Sequence, residues 1–201
     1  SAGVAGSVTR RAIGIDMRSR KDPLPRLWLM TDERGGDPVA IAQVLPKGSG
    51  IVFRHHATRA AARRRLFDGV RRVARARRLV LFLAGPPTQA LAWRADGAHH
   101  RSLLVSKGLR SVAVHNCRER VLAQRVGANL IFVSPVFATV SHPGKTPLGA
   151  VRLGILIGAQ RRQAIVVGGL NAGSFKRLNR MKVFGWAAID TFKLGQMRSR
   201  T

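Results

Sequence analysis

Gly168 and Gly169 follow the aliphatic run Ala164–Val167 and stand just before Asn171, a residue type that caps helices. Glycine lets an anion approach the backbone, and a helix N-terminus offers unpaired N–H donors with a favourable dipole. The pair thus marks a phosphate cradle, although the same residues also suit a tight strand-to-helix turn without ligand. Arg54 ends another apolar run and is followed by His55 and His56. Its planar fork can give two parallel bonds to phosphate oxygens, or simply stand as a solvated charge. Thr139, Ser141, His142 and Lys145 share one loop, Thr139-Val140-Ser141-His142-Pro143-Gly144-Lys145. Its hydroxyls can bond a phosphate or diphosphate and His142 can carry a pH-dependent charge, while its turn residues also describe a plain surface loop. His115 closes a further apolar run, a place where histidine is often a hydrogen-bonded structural residue. His99 and His100 do not form a metal site with His115 on spacing alone. Cys117 reads as a packed residue at a helix start rather than a nucleophile.

These groups need a frame to bring them together. Short aliphatic runs alternate with helical stretches, the pattern of βαβ units. Strands are expected at Leu27–Thr31, Gly50–Arg54, Leu79–Leu83, Ala95–His99, Ser111–His115, Leu130–Val133, Ala164–Val167 and Gly185–Ile189. Helices are expected from Pro38 to about Leu45, over Thr58–Arg77, and from Pro86 and Pro87 to about Trp93. A weaker one lies near Ser102–Lys107, followed by Arg118–Val126, Ala150–Gln160 and Ala172–Met181 with Asn171 as its cap. Eight strands in alternation with helices imply an α/β chain folded as a single (β/α)8 TIM barrel. At 201 residues it is short for a fold that typically takes about 250, so its helices must be short. Residues 1–25 are expected to form a flexible basic N-terminal segment, and residues 26–201 the barrel.

Ser1 to Lys21 is polar and Arg-rich, unlike an intact signal peptide. No apolar run approaches the ~18 to 20 residues of a membrane span. A lone cysteine excludes an internal disulfide framework and suits a reducing cytoplasm. The formal net charge of +27 favours anionic partners, from phosphorylated metabolites to nucleic acid. Arg63, Arg64, Arg65, Arg71, Arg72, Arg75, Arg77 and Arg78 crowd one helix and its exit. They read either as a solvated face or as a stripe for nucleic acid. No zinc-finger spacing or aromatic RNA-binding signature accompanies them, and with 5% aromatics and no Tyr, stacking platforms are scarce.

Five segments, taken in order, resemble the thiamin phosphate synthase and thiazole tautomerase family. They are Leu27-Trp28-Leu29-Met30-Thr31-Asp32, Ala95-Asp96-Gly97-Ala98-His99, Val114-His115-Asn116, Ser134-Pro135-Val136-Phe137-Ala138-Thr139 and Val167-Gly168-Gly169-Leu170. Each motif is short, and their order and spacing over roughly residues 26 to 192 carry the resemblance. It implies a barrel that binds a thiazole phosphate at its C-terminal mouth. In one branch that ligand is joined to a pyrimidine diphosphate with magnesium; in another a thiazole carboxylate phosphate is tautomerised.

Carried over residue by residue, the resemblance gives Gly168 and Gly169 to the phosphate, with a second amide group at Ile189 and Asp190. The Asp190 carboxylate, where the family has a small hydroxyl residue, can instead cap a last helix and compete for those amides. Arg54 matches an Arg of the family's Gln-Leu-Arg-Glu-Lys segment, with Val52 in place of Gln and His55 and His56 in place of Glu and Lys. Thr139 and Ser141 match the hydroxyls of a Thr-x-Thr-Lys segment, His142 standing for the Lys. His115 matches the histidine that moves the proton in the tautomerase branch, work suited to an imidazole near neutrality. The metal carboxylates are replaced by Ala84-Gly85 and by Leu103 and Leu104. Magnesium takes oxygen ligands, usually from carboxylates and diphosphate. The expectation is therefore a thiazole-phosphate protein of tautomerase type with no metal site and no required cofactor. Magnesium would enter only if the chain is a working synthase, with His55, His56, His142 and Lys145 on the diphosphate side. The expected partner is a phosphorylated small molecule, with nucleic acid on the Arg-rich face as the third reading.

Overall fold

In the computed structural model, the eight aliphatic runs are eight parallel strands hydrogen-bonded in chain order into a closed barrel. The structure describes residues 23–101, 103, 108–136, 147–168, 178 and 181–189. β1 (Leu27–Thr31), α1 (Pro38–Val44), β2 (Gly50–Phe53), α2 (Ala60–Arg77), β3 (Val80–Ala84), α3 (Pro87–Ala92) and β4 (Gly97–His99) build the first half. β5 (Leu109–Val114), α4 (Cys117–Arg125), β6 (Leu130–Val133), α5 (Gly149–Ile157), a 3-10 turn Gly158–Gln163, β7 (Ala164–Val167) and β8 (Gly185–Ala188) complete it. β8 closes on β1 with Leu27 opposite Trp186 and Leu29 opposite Ala188.

The strands read as near-continuous apolar runs because both of their faces are covered. Trp28, Met30, Val52, Val80, Phe82, Leu130, Phe132, Ile165 and Val167 form one cluster, the barrel interior. Their neighbours one residue along, Leu29, Ile51, Phe53, Leu81 and Leu83, pack instead on Ile41, Phe67, Val70 and Ala90 of the helices. Val112, Val114, Ile131, Val133 and Val166 do the same against Ala123, Leu153 and Leu156. Two periods, 2 along strands and 3.6 along helices, thus sort one apolar composition into a core and a ring.

Trp28 fills the lower barrel, its indole edge-on to Phe82 and Phe132 at 5.0 and 5.5 Å. Gly50 is glycine for that reason, since a Cβ there would lie inside the indole ring. The Trp28 Nε1–H donates to the Pro25 carbonyl at 2.7 Å, and Leu24 joins the interior cluster. Residues 24 and 25, placed by sequence in the flexible segment, therefore pack on the barrel; residues 1–22 lie outside the described ones.

Several boundaries move for local reasons. Asp37 caps α1 by accepting from the Val39 N–H at 2.9 Å, with Pro38 in the first turn. β4 begins at Gly97 because Asp96 is spent on β3, its carboxylate accepting from the Leu81 N–H at 2.8 Å. α5 stops at Ile157, where Gly158 takes φ 46°, and the chain tightens into 3-10 geometry. Of Ser102–Lys107 only Leu103 is described, and it is not helical; Asn171 and most of Ala172–Met181 lie outside the described residues. Cys117 is exposed rather than packed, because the first residue of α4 points away from the barrel wall.

The Arg-rich helix is not one solvated stripe. On α2 the buried positions are Arg63, Phe67, Val70 and Ala74, so Arg63 occupies the apolar face. Asp68 pairs with Arg64 at 2.7 Å and with Arg71 at 3.3 Å, and Arg77 donates to the Leu45 carbonyl. Arg65, Arg72 and Arg75 are left exposed to solvent. No described helix is long and apolar enough to cross a membrane.

Candidate functional site

The C-terminal ends of the strands surround a cavity of about 700 Å³. Every strand exit contributes: Met30, Arg54, Ala84, His99, His115, Ser134, Gly168 and Ile189, in barrel order. This is where a (β/α)8 fold places its loops and its chemistry. Arg63, Gln89, His56, His100 and Arg101 complete the polar lining. Among the described lining residues there are three arginines and four histidines and no carboxylate, so the mouth presents a field that attracts anions.

On the β2–β3 side, Arg54 stands one residue past its strand. Its Nε donates to the Thr31 carbonyl at 3.0 Å and its Nη2 to Asp32 Oδ2 at 2.9 Å. Asp32 is shared with Arg34 at 2.7 Å. Burial works to raise the Asp32 carboxyl, but the Arg34 bonds and the Arg54 and Arg34 charges outweigh it and hold it below the ordinary carboxylate range. Arg63 lies beneath Arg54. Its Nε donates to the Arg54 carbonyl at 2.9 Å and its Nη2 to the Ala84 carbonyl at 2.7 Å. The guanidinium sits over the Phe53 and Trp93 rings at 5.8 and 5.3 Å. One helix residue thereby ties off the exits of β2 and β3.

His55 and His56 part company. His55 takes φ +43° and turns into the wall, 3% exposed and stacked on Phe53 at 4.6 Å. It does not line the mouth, which corrects its assignment to a diphosphate side; His56 does. Burial, foremost, holds both imidazoles below their ordinary range.

On the β4–β5 side, His99 stands half-buried at the end of β4. Its ring packs edge-on to Phe132 at 5.2 Å, and its Nδ1 is 2.9 Å from Ser111 Oγ. Burial, with the nearby charges of Arg54 and Arg101, pushes it down to about 3. His99 therefore meets a ligand as a neutral hydrogen-bonding group. The unfolded chain takes up a proton near 6.5 that the folded chain refuses until about 3, so stability is present above the first value and is lost as pH falls between them. The expected slope from this residue approaches about 1.4 kcal/mol per pH unit. Urea midpoints at pH 7, 5.5 and 4.5 should fall less steeply for His99→Gln than for the parent, and identical pH profiles would refute the assignment.

His115 stands at the β5 exit beside the N-terminus of α4. Asn116 caps that helix by accepting from the Glu119 N–H at 3.0 Å, which orients Glu119 back toward His115. Glu119 Oε2 accepts from the His115 N–H at 2.6 Å and lies 2.9 Å from its Nδ1. Arg101 grips the other oxygen, Oε1, at 2.8 Å. Burial works to raise the Glu119 carboxyl, but the bonds from His115 and the His115 and Arg101 charges hold it below its ordinary value. With Nδ1 engaged on the α4 side, Nε2 is the ring nitrogen left for a ligand.

At β7, Gly168 takes φ +98°, and a Cβ would come within 3.3 Å of Pro135 Cα. The positive φ favours glycine and the close approach leaves a side chain little room, while Ile189 also lines the mouth. Gly169, Asp190, Thr139, Ser141, His142 and Lys145 lie outside the described residues. From the sequence, Arg101 and Glu119 are not singled out, Arg63 stands only as one of eight crowded arginines, and His99 carries no assigned role. Asn116-x-x-Glu119 was a readable capping signal, and Arg63 sits on the spacing of Phe67, Val70 and Ala74.

The described residues of the mouth lining do not fit a magnesium ion, since none of them is a carboxylate. Ala84 and Gly85 line the mouth where carboxylates would be needed, Leu103 points to solvent, and Leu104 lies outside the described residues. Two carboxylates beside the mouth, Asp32 and Glu119, are each held by arginine, and Glu33 is taken up by the Ala57 and Thr58 N–H groups. No group of three or more potential metal-binding side chains occurs among the described residues.

The sequence profile described as thiamine monophosphate synthase matches residues 31–192. A thiamine-phosphate synthase of Chloroflexus aurantiacus is 27% identical over 181 residues, covering 82% of this chain and 83% of that protein. A putative thiamine-phosphate synthase 2 of Aquifex aeolicus is 26% identical over 182 residues, covering 84% and 98%. The fold matches a thiamine phosphate pyrophosphorylase from Pyrococcus furiosus with a TM-score of 0.68 at 22% identity, over 83% of this chain and 85% of that one. A second, from Bacteroides thetaiotaomicron, matches with a TM-score of 0.56 at 17% identity, over 82% of each chain.

Proposed function

Because the chain belongs to the thiamine monophosphate synthase family, we propose that it binds a thiazole phosphate at the barrel mouth and moves a proton on it. The observation that carries this reading is the pairing of His115 with Glu119 on the rim of a mouth whose described lining holds three arginines and four histidines. The phosphate is assigned to the β7 and β8 exits, at Gly168, Gly169, Ile189 and Asp190, where backbone amides can reach it. Thr139 and Ser141 are assigned to the same end of the ligand. Nε2 of His115 removes a proton from one position of the thiazole tautomer and returns it at another. Glu119 accepts the Nδ1–H and stabilises the imidazolium between the two transfers. No electrons change hands and nothing leaves.

Calorimetry tests the reading. A thiazole carboxylate phosphate should bind in the micromolar range typical of substrates, and magnesium should not change its affinity. Formation of thiamin phosphate from a pyrimidine diphosphate, dependent on magnesium, would overturn it. That outcome would establish the second reading, a working synthase, which the names of both curated relatives favour. Arg54, His56, His142 and Lys145 would then have to neutralise the leaving diphosphate.

A further inference from the structure

Glu119 alone does not explain its own geometry. It reaches His115 within a single helix start, four residues away, and that contact needs only one carboxylate oxygen. The other oxygen is taken by Arg101, which arrives from the neighbouring β4 exit. Oε2 holds the His115 N–H and ring, Oε1 holds the Arg101 Nη1, and Asn116 holds the Glu119 N–H. With both oxygens committed, the carboxylate cannot rotate off the imidazole without breaking a charged pair.

Arg101 also places Nη2 at 3.2 Å from His115 Nδ1. A guanidinium only donates and a carboxylate only accepts, so the two compete for the same ring nitrogen with opposite demands. If Nδ1 carries the proton it bonds Glu119, and Nε2 faces the mouth as an acceptor. If Nδ1 is bare it accepts from Arg101, and Nε2 faces the mouth as a donor. The carboxylate contact is the shorter, and a bond to an ionised acceptor is the stronger kind.

We propose that Arg101 is a positioning residue that acts through Glu119, holding the carboxylate so that neutral His115 keeps its proton on Nδ1 and offers Nε2 as the base. This rests on the proton-transfer reading above for its consequence, but not for its geometry. Losing Arg101 removes its longer contact with Nδ1 but also the shorter charged anchor of Glu119, which can then turn to solvent, so that the imidazole distributes its proton over both nitrogens.

Nitrogen-15 NMR of the histidine rings in the full chain reads the tautomer with no substrate present. The neutral His115 ring should show a protonated Nδ1 in the parent and a mixture in Arg101→Met, with Arg101→Lys between them. An unchanged tautomer in Arg101→Met would overturn the proposal. In turnover, Arg101→Met should lower kcat by about ten- to a hundredfold, as misplaced catalytic groups do, with KM within about twofold. Arg101→Met added to Glu119→Gln should cost nothing more, since both remove one device. A raised KM at constant kcat, or losses that multiply in the double variant, would show Arg101 gripping substrate instead. A parent protein without tautomerase turnover would sink the functional reading and leave the NMR comparison to judge Arg101.

Discussion

Replacing His115 by glutamine is expected to lower kcat for tautomerisation of a thiazole carboxylate phosphate by about 10²- to 10⁴-fold, the usual contribution of a positioned acid–base group. That is about 3 to 5 kcal/mol of barrel-mouth catalysis lost, at about 1.4 kcal/mol per tenfold. Glutamine matches the reach of the imidazole and can still donate to Glu119, yet it has no proton to exchange. KM should stay within about threefold, because the phosphate is assigned to the opposite rim at Gly168 and Ile189 and the variant removes only an interaction made in the transition state. Following solvent deuterium into the thiazole by NMR separates the proton step from binding. A loss below fivefold would make His115 a bystander, and His56 or His100 would then be the ring to vary.

The second large effect falls on stability. Arg63→Met should cost about 3 to 5 kcal/mol, read as a lower urea midpoint at unchanged m-value. Methionine matches the length of the buried stem, so the loss comes from polar groups. The carbonyls of Arg54 and Ala84 lose their donor at the exits of neighbouring strands. Each orphaned group costs about 1 to 3 kcal/mol. The contacts over Phe53 and Trp93 add roughly 0.5 to 2 kcal/mol. Since Arg54 rests on Arg63 through its carbonyl, anion affinity at that side of the mouth should fall as well. A midpoint shift equivalent to less than about 1 kcal/mol would mean that water replaces the guanidinium at no expense.

These two residues differ in how readily the sequence discloses them. His115 closes an aliphatic run and sits in a motif-like turn, so both its strand-end position and its candidacy were legible. Arg63 stands among seven other arginines of similar appearance, and a count of charges hides it. Only its helical phase, shared with Phe67, Val70 and Ala74, separates it from Arg65 and Arg72, which stay in solvent. His55 and His56 carry the same side chain one position apart. A left-handed backbone at His55 sends one ring into the Phe53 wall and leaves the other at the mouth, and side-chain type gives no sign of that. Glu119 was announced by the Asn116 cap, but its second partner, Arg101, comes from another loop.

What the amino-acid order determined unaided was the eight strands, the five described helices and the ends that matter. Aliphatic runs of strand length, separated by helical periods, leave few ways to cover both faces except a closed parallel ring. Glycine at 168 marked the β7 exit for the same local reason, a backbone that other residues avoid. Tertiary structure alone decided which charges are spent on the fold and which face the cavity. Arg54, Arg63 and Arg101 are chemically alike in the sequence, and they diverge because closure of the barrel brings Asp32, the Ala84 carbonyl and Glu119 within reach of each in turn. Ion pairs and hydrogen bonds decay over a few ångströms, so partners distant along the chain acquire their roles only once the strands are in register.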